Sequence, residues 1–241
     1  LCNQGGFGRA RIHKAFKIHS FKTDMKSVCV FCASSLGKNE SYAQTAQAVG
    51  RLLAESGLRL IYGGGNIGLM GQTANAVLQH GGQVTGVIPD FLIRKEVGHL
   101  DVTELIVVDT MHTRKARMAE LADGFLTLPG GFGTMDELCE ILTWAQLGLH
   151  QKPIGILNVN GYYDALLQLF DRMAADGLLR PENRAMLLAD TDPAALLEKM
   201  RRYQPPAVEK WLRTEEQLLN RSALGVLSIF CPKRRPRAAS P

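Results

Sequence analysis

The strongest chemical signal in this sequence is a short segment that combines three glycines with an acidic residue. Residues 129–137 read Pro-Gly-Gly-Phe-Gly-Thr-Met-Asp-Glu and precede a predicted helix. Such a loop exposes backbone N–H groups at the positive end of a helix dipole, which suits it to binding an anion such as phosphate. Thr134 and Glu137 also match the Ser/Thr-x-x-Glu capping box, in which Glu137 would only stabilise the helix start. A cap needs fewer glycines than this segment has, but these residues alone leave both interpretations open.

A second signal is one charged residue in an apolar stripe. On the helix predicted over 111–122, residues Met111, Arg114, Met118 and Leu121 share one face. A guanidinium buried in that face needs a partner, because burying an unpaired charge is costly. The partner is either an internal carboxylate or a bound phosphate or ribose.

A third signal, residues 63–68, is weaker. The sequence Gly-Gly-Gly-Asn-Ile-Gly formally matches the dinucleotide-binding pattern G-x-G-x-x-G between a strand and a helix. No acidic residue ends the next predicted strand, 83–88, where an NAD ribose would be bound. The loop is therefore either a phosphate or ribose contact or a tight turn, and an NAD-dependent oxidoreductase is disfavoured.

Cysteine and histidine placement argues against a metal or redox centre. Cys29 and Cys32 form a C-x-x-C pair, but within an apolar strand, where residues three apart point to opposite faces. We predict that both are core residues. The five Cys are too irregularly spaced for a disulfide framework, and the six His show no metal-ligand spacing. A cytoplasmic protein without metal or cofactor is the expectation.

The elements that must position these residues alternate along the chain. The predicted strands are 27–32, 58–62, 83–88, 105–108, 125–128, 154–159 and 186–189. The predicted helices are 41–56, 67–80, 111–122, 134–147, 162–175 and 193–203. Continuously apolar strands separated by helices predict a Rossmann-like, doubly wound α/β domain with helices on both faces of a parallel sheet. Ligands of such folds bind beyond the carboxyl ends of the strands.

The charge of the chain is concentrated at its ends. The 241 residues have a net charge of +5, yet residues 25–204 carry 16 basic and 19 acidic side chains, a net of −3. This distribution argues against a nucleic-acid-binding face. No apolar run approaches the roughly 20 residues that span a bilayer, so no membrane partner is expected. We predict one domain over 25–204, with disordered extensions at 1–24 and 205–241.

Two of these motifs together resemble a known family. Met-His-x-Arg-Lys at 111–115 and Pro-Gly-Gly-x-Gly-Thr-x-x-Glu at 129–137 are similar to the signature of the Lonely Guy proteins, the cytokinin riboside 5′-monophosphate phosphoribohydrolases. The likeness extends over 25–204. It implies a homodimeric Rossmann-like enzyme that hydrolyses the N-glycosidic bond of AMP or N6-modified AMP to free base and ribose 5-phosphate, without a cofactor.

The resemblance also implies roles for individual residues. Arg114 and Glu137 fall on the catalytic pair of the family. The substrate contacts that carry over are Glu96, Met111, Arg114, Lys115, Gly130, Gly131, Gly133, Thr134, Glu137 and Thr143, with Ser34, Gly64 and Gly65 as further candidates. Phe132 stands where Tyr is frequent and Asp136 where Glu is frequent.

Two other functions explain the motifs less well. A non-enzymatic nucleotide or cofactor carrier on the same fold, like the molybdenum-cofactor carrier proteins, would bind AMP without releasing adenine. It gives no reason for pairing Arg114 with Glu137. Lysine decarboxylase is disfavoured, because the chain offers no evident site for pyridoxal phosphate.

Overall fold

A seven-stranded, all-parallel β-sheet forms the centre of the molecule in a computed structural model. The structure describes residues 24–96 and 98–206, without the side chains of 94–96. The predicted extensions before residue 24 and after residue 206 lie outside this part of the chain. The strands are β1 Ser27–Phe31, β2 Arg59–Tyr62, β3 Val84–Pro89, β4 Glu104–Val108, β5 Gly124–Thr127, β6 Ile154–Leu157 and β7 Leu187–Asp190.

Helices connect successive strands. They are α1 Glu40–Glu55, α2 Gly68–Gln79, α3 Asp90–Glu96, α4 Met111–Leu121, α5 Phe132–Gln146, α6 Asp164–Ala175, α7 Pro181–Arg184 and α8 Pro193–Arg201. A 3₁₀ turn, Val159–Gly161, precedes α6. In the described chain, no helix is both long and apolar enough to cross a membrane.

The apolar core lies in two layers, one on each face of the sheet. Val28 and Val30 of β1 pack in the layer that α1, α2 and α8 cover, whereas Cys29 and Phe31 pack in the layer of α4, α5 and α6. Strand side chains alternate between faces, so a strand covered on both sides must be apolar throughout. The predicted doubly wound fold is confirmed. Cys32 lies in the first layer, so the two thiols face opposite ways as predicted.

The strand order is β4-β3-β2-β1-β5-β6-β7. The chain builds the sheet outward from β1 on one side, then returns to pair β5 with the other edge of β1. Helices leave β1 and β5 in diverging directions at this reversal, which opens a crevice where those two strands end.

Two helices of the structure are missing from the sequence prediction. No element was predicted between the strands at 83–88 and 105–108, but α3 starts there at Asp90. The four-residue helix α7 was also missed, since one helical turn leaves no apolar period to detect. The ends of the other elements agree with prediction to within two residues, and α5 begins two residues before its predicted start.

Candidate active site

A cavity of about 350 Å³ lies at the reversal point, beyond the ends of β1 and β5. Its walls come from the loops after these strands and from α2, α3, α4 and α5. The lining residues are Cys32, Ala33, Ser34, Ser35, Met70, Leu92, Met111, Arg114, Gly131, Phe132, Gly133, Thr134, Asp136 and Glu137. A larger cavity, about 530 Å³, lies at the opposite end of the strands beside Lys26 and Arg59. It contains neither motif, so size alone does not identify the site.

Arg114 is the buried charge of this cavity, with 5% of its surface exposed. Its Nη2 donates to the carbonyl of Gly63 at 2.7 Å and its Nε to the carbonyl of Val87 at 3.1 Å. Its Nη1 lies 3.8 Å from the sulfur of Met111. These three acceptors are neutral, and their contacts orient the guanidinium.

The first glycine loop contacts Arg114. A Cβ at Gly63 would overlap Nη2 of Arg114, so only glycine allows this close approach. Gly64 has a φ of +78°, and its carbonyl accepts the amide of His99 at 3.0 Å. Gly65 forms a bridge with Gly98. Neither Gly64 nor Gly65 is among the residues that line the cavity, and these contacts are those of a tight turn.

The second glycine loop forms the opposite wall of the cavity. Helix α5 begins at Phe132 with Gly131 as its N-cap, and no side chain caps it. The capping-box interpretation of Thr134 and Glu137 is therefore wrong, because both residues already lie within the helix. Thr134 is buried and Glu137 half-buried, and both face the cavity.

The three glycines of this loop differ in their steric surroundings. A Cβ at Gly130 would overlap the side chain of Thr134, so packing alone requires glycine there. At Gly131 and Gly133 a Cβ would meet nothing within 4 Å, and neither has a positive φ. The fold of the chain therefore does not require glycine at these two positions. A ligand that binds close to the backbone would require it, because a Cβ would occupy the space of the ligand.

Cys32 forms a neutral part of the wall. Burial, and after it the negative charge of Glu137, raises the pKa of the Cys32 thiol far above its usual range. A thiol in this state is a poor nucleophile. No group of three or more His, Cys, Asp or Glu side chains that could hold a metal ion occurs within 24–96 and 98–206.

Two expected substrate contacts, Lys115 and Thr143, are not placed at the cavity. The Nζ of Lys115 lies 3.0 Å from Asp136 and 3.1 Å from Glu140. Burial alone would lower the pKa of Lys115, but these hydrogen bonds raise it overall, so the residue remains a cation linking α4 to α5. Thr143 is exposed on α5, donates to the carbonyl of Cys139 at 2.7 Å, and lines a separate groove. Glu96 ends α3, and its side chain is outside the described part of the chain.

The remaining predicted residues are brought together. Ser34, Met111, Arg114, Gly131, Gly133, Thr134 and Glu137 all line the cavity, and Gly130 lies directly before them. Sequence reasoning missed Met70, Leu92 and Phe132. Phe132 was inside a recognised motif, whereas Leu92 lies on the unpredicted α3. A search of the residues that follow each predicted strand would have found Ser35.

Comparisons with known proteins agree with this geometry. Residues 70–200 match the family model described as "Possible lysine decarboxylase". A probable cytokinin riboside 5′-monophosphate phosphoribohydrolase of Oryza sativa subsp. japonica is 48% identical over 180 residues, covering 75% of this chain and 79% of the relative. A cytokinin riboside 5′-monophosphate phosphoribohydrolase of Arabidopsis thaliana is 46% identical over 184 residues, covering 76% and 81%.

Solved structures with a similar fold include carriers. The molybdenum cofactor carrier protein of Chlamydomonas reinhardtii superposes with a TM-score of 0.55 at 19% identity, covering 73% of this chain and 97% of that chain. The molybdenum cofactor binding protein of Rippkaea orientalis gives 0.54 at 19% identity, covering 73% and 95%. At this level of identity the likeness shows the fold alone.

Proposed function

The chain belongs to the family of the cytokinin riboside 5′-monophosphate phosphoribohydrolases, and from this premise we propose that it hydrolyses the N-glycosidic bond of an N6-modified AMP or of AMP itself. The products are the free base and ribose 5-phosphate. The observation that carries the proposal is that one cavity is lined by Arg114, by Glu137, and by Gly131 and Gly133 of the second glycine loop.

The 5′-phosphate binds at the start of α5. The first N–H groups of a helix have no acceptor within it, and the helix dipole favours an anion there. The free space at Gly131 and Gly133 lets a phosphate oxygen approach these amides closely. The guanidinium of Arg114, oriented by two backbone carbonyls, supplies a positive charge on the wall of the same cavity. The phosphate and ribose are thereby fixed relative to Glu137.

Glu137 acts at C1′ of the ribose. Cleavage of an N-glycosidic bond passes through an oxocarbenium-like state, which a nearby carboxylate stabilises. Glu137 also accepts a proton from the attacking water as the new C1′–O bond forms. The C1′–N bond breaks with its electrons moving to the base, which takes a proton from solvent. General-base assistance of this kind contributes about 10²–10⁴-fold to the rate.

The same proposal includes a homodimer in the cytoplasm. Phe132 exposes 96% of its surface at the cavity mouth, and Thr143 is exposed on the same helix. A second copy packed against this side of α5 would cover both. The thiols of Cys29, Cys32 and Cys139 are free, as in a reducing compartment. Light scattering should give the mass of a dimer, and a monomeric mass would contradict this part of the proposal.

The test of the activity is incubation with isopentenyl-AMP, AMP and adenosine, with free base and ribose 5-phosphate measured by chromatography. We expect base release from the monophosphates and much slower release from adenosine. Binding of both AMP and isopentenyl-AMP without release of either base would identify a carrier instead. Equal rates with AMP and adenosine would contradict phosphate binding at the glycine loop.

A further inference from the structure

Three successive carbonyl groups before α5 are turned into the protein. They belong to Leu128, Pro129 and Gly130. The carbonyl of Leu128 accepts the hydroxyl of Tyr163 at 2.6 Å, and that of Gly130 accepts the hydroxyl of Tyr162 at 2.8 Å. Between them, the carbonyl of Pro129 accepts the amide of Ala33 at 3.2 Å. Each carbonyl is thus held from outside its own segment.

The planar peptide bond relates the direction of each carbonyl to that of the N–H group that follows it. In a trans peptide the C=O of one residue and the N–H of the next point in opposite directions. When Tyr162 holds the Gly130 carbonyl on the protein side, the Gly131 N–H must point the other way. Gly131 lines the cavity. The hydroxyl of Tyr162 therefore fixes the direction of an amide that faces the ligand space.

The two tyrosines are themselves held in place. Their loop after β6 contains Asn160, whose φ of +51° is left-handed and whose Nδ2 donates to Ser41 at 2.8 Å. The amide of Tyr163 donates to the side chain of Asn158 at 2.8 Å. Burial raises the pKa of the Tyr163 hydroxyl, so this group stays protonated and able to donate.

Ring packing completes the arrangement. The rings of Tyr162 and Tyr163 meet edge to face at 4.8 Å, and Tyr42 of α1 meets Tyr162 in the same way at 5.7 Å. Edge-to-face contacts of this kind favour one ring orientation over others. This ring packing therefore holds the hydroxyl of Tyr162 in position to donate to the carbonyl of Gly130.

We propose that Tyr162 is a positioning residue, which orients the Gly131 amide of the second glycine loop toward the 5′-phosphate of the substrate. The inference rests on the proposed function, since it assumes that the phosphate binds there. A phosphate contact is present in both the bound substrate and the transition state. Its weakening should therefore raise KM and leave kcat nearly unchanged.

The test compares ligands with and without phosphate in Tyr162→Phe, which keeps the ring. We expect the KM for AMP and the inhibition constant of ribose 5-phosphate to rise about fivefold, the equivalent of one lost hydrogen bond. The inhibition constant of adenosine should stay at the wild-type value, and kcat should remain within about twofold. Tyr42→Phe is the matched control, because its ring belongs to the same cluster but its hydroxyl does not hold the glycine loop.

The outcomes separate two kinds of failure. If the wild type binds AMP no better than adenosine, phosphate binding at the loop fails and this inference with it. If the wild type prefers AMP and Tyr162→Phe keeps that preference, only the positioning role is wrong. An equal loss for AMP and adenosine would indicate general damage and also overturn it. Tyr162 is partly exposed, so Tyr162→Phe should fold.

Discussion

Arg114 and Glu137 occupy the same cavity but are held in different ways. Arg114 is buried, and carbonyls at the ends of two strands fix its guanidinium. Glu137 is half-buried in the second turn of α5 and does not cap the helix. Removing the charge of Glu137 should therefore affect chemistry far more than folding.

Glu137→Gln tests this separation. The amide keeps the size and helical position of the side chain but can neither accept the water proton nor stabilise a cation at C1′. We expect kcat for AMP to fall at least about 10²-fold, with an unfolding midpoint close to that of the wild type. Glu140→Gln is the matched control, because Glu140 lies one turn further along α5, pairs with Lys115, and does not line the cavity. Unchanged adenine release by Glu137→Gln would remove Glu137 from the mechanism.

For single residues, the sequence predicted that a charged side chain is buried, but not which neighbours hydrogen-bond to it. Arg114 was correctly expected to be buried, because it was the only charge in an apolar stripe. Its carbonyl partners could not be predicted, since they come from strands distant in sequence. The partners of Lys115 could not be predicted for the same reason: Asp136 and Glu140, which bind it, belong to another helix.

Among the elements, the start of α5 carries the proposed phosphate site. Sequence patterns placed this start at Thr134, because the capping box has a strong signature. The helix begins at Phe132 instead, so Gly133 belongs to its first turn. Glycine is a poor helix former, and its presence there is unfavourable for folding. This conflict between local preference and observed structure indicates a functional reason for the residue.

Gly133→Ala separates that function from folding. A Cβ at this position would meet no atom within 4 Å, and alanine favours a helix by about 0.5–1 kcal/mol over glycine. We expect a higher free energy of unfolding, measured in urea, together with a several-fold higher KM for AMP. Gly130→Ala is the contrasting variant, because its Cβ would overlap Thr134 and should destabilise the chain. A Gly133→Ala enzyme with an unchanged KM would contradict phosphate binding at this amide.

For the whole molecule, the alternation of strands and helices was sufficient to predict the fold. It could not predict which loops would meet, because strand order depends on pairing between distant segments. The two glycine loops follow β2 and β5, strands that pair with opposite edges of β1. The net charge of +5 is likewise a property of the ends. The site itself uses one oriented guanidinium.

Folding stability should also depend on the protonation of His150, which lies between α5 and β6. Its Nε2 is 3.0 Å from the carbonyl of Ile141, and its Nδ1 accepts the amide of Lys152 at 3.2 Å. Both ring nitrogens are thus used by the neutral imidazole. A second proton would displace the Lys152 amide from Nδ1. Burial, and also the charge of Lys152, lowers the pKa of His150, although the bond to Ile141 partly opposes this.

His150→Gln should therefore weaken the acid sensitivity of the fold. As pH falls below the ordinary histidine pKa of about 6.5, the unfolded chain takes up the proton first, so the free energy of unfolding decreases until the lower pKa of the folded state is passed. Urea unfolding at about pH 8 and about pH 5.5 should show a smaller decrease for the variant than for the wild type. The substitution also removes packing against Phe125, whose ring lies 5.4 Å away. This loss is present at both pH values, so it does not affect the difference in stability between them. Burial also lowers the pKa of His99, so His99→Gln should add to the effect. If the two histidine variants lose as much stability as the wild type over this range, the neutral form of His150 does not contribute to the fold.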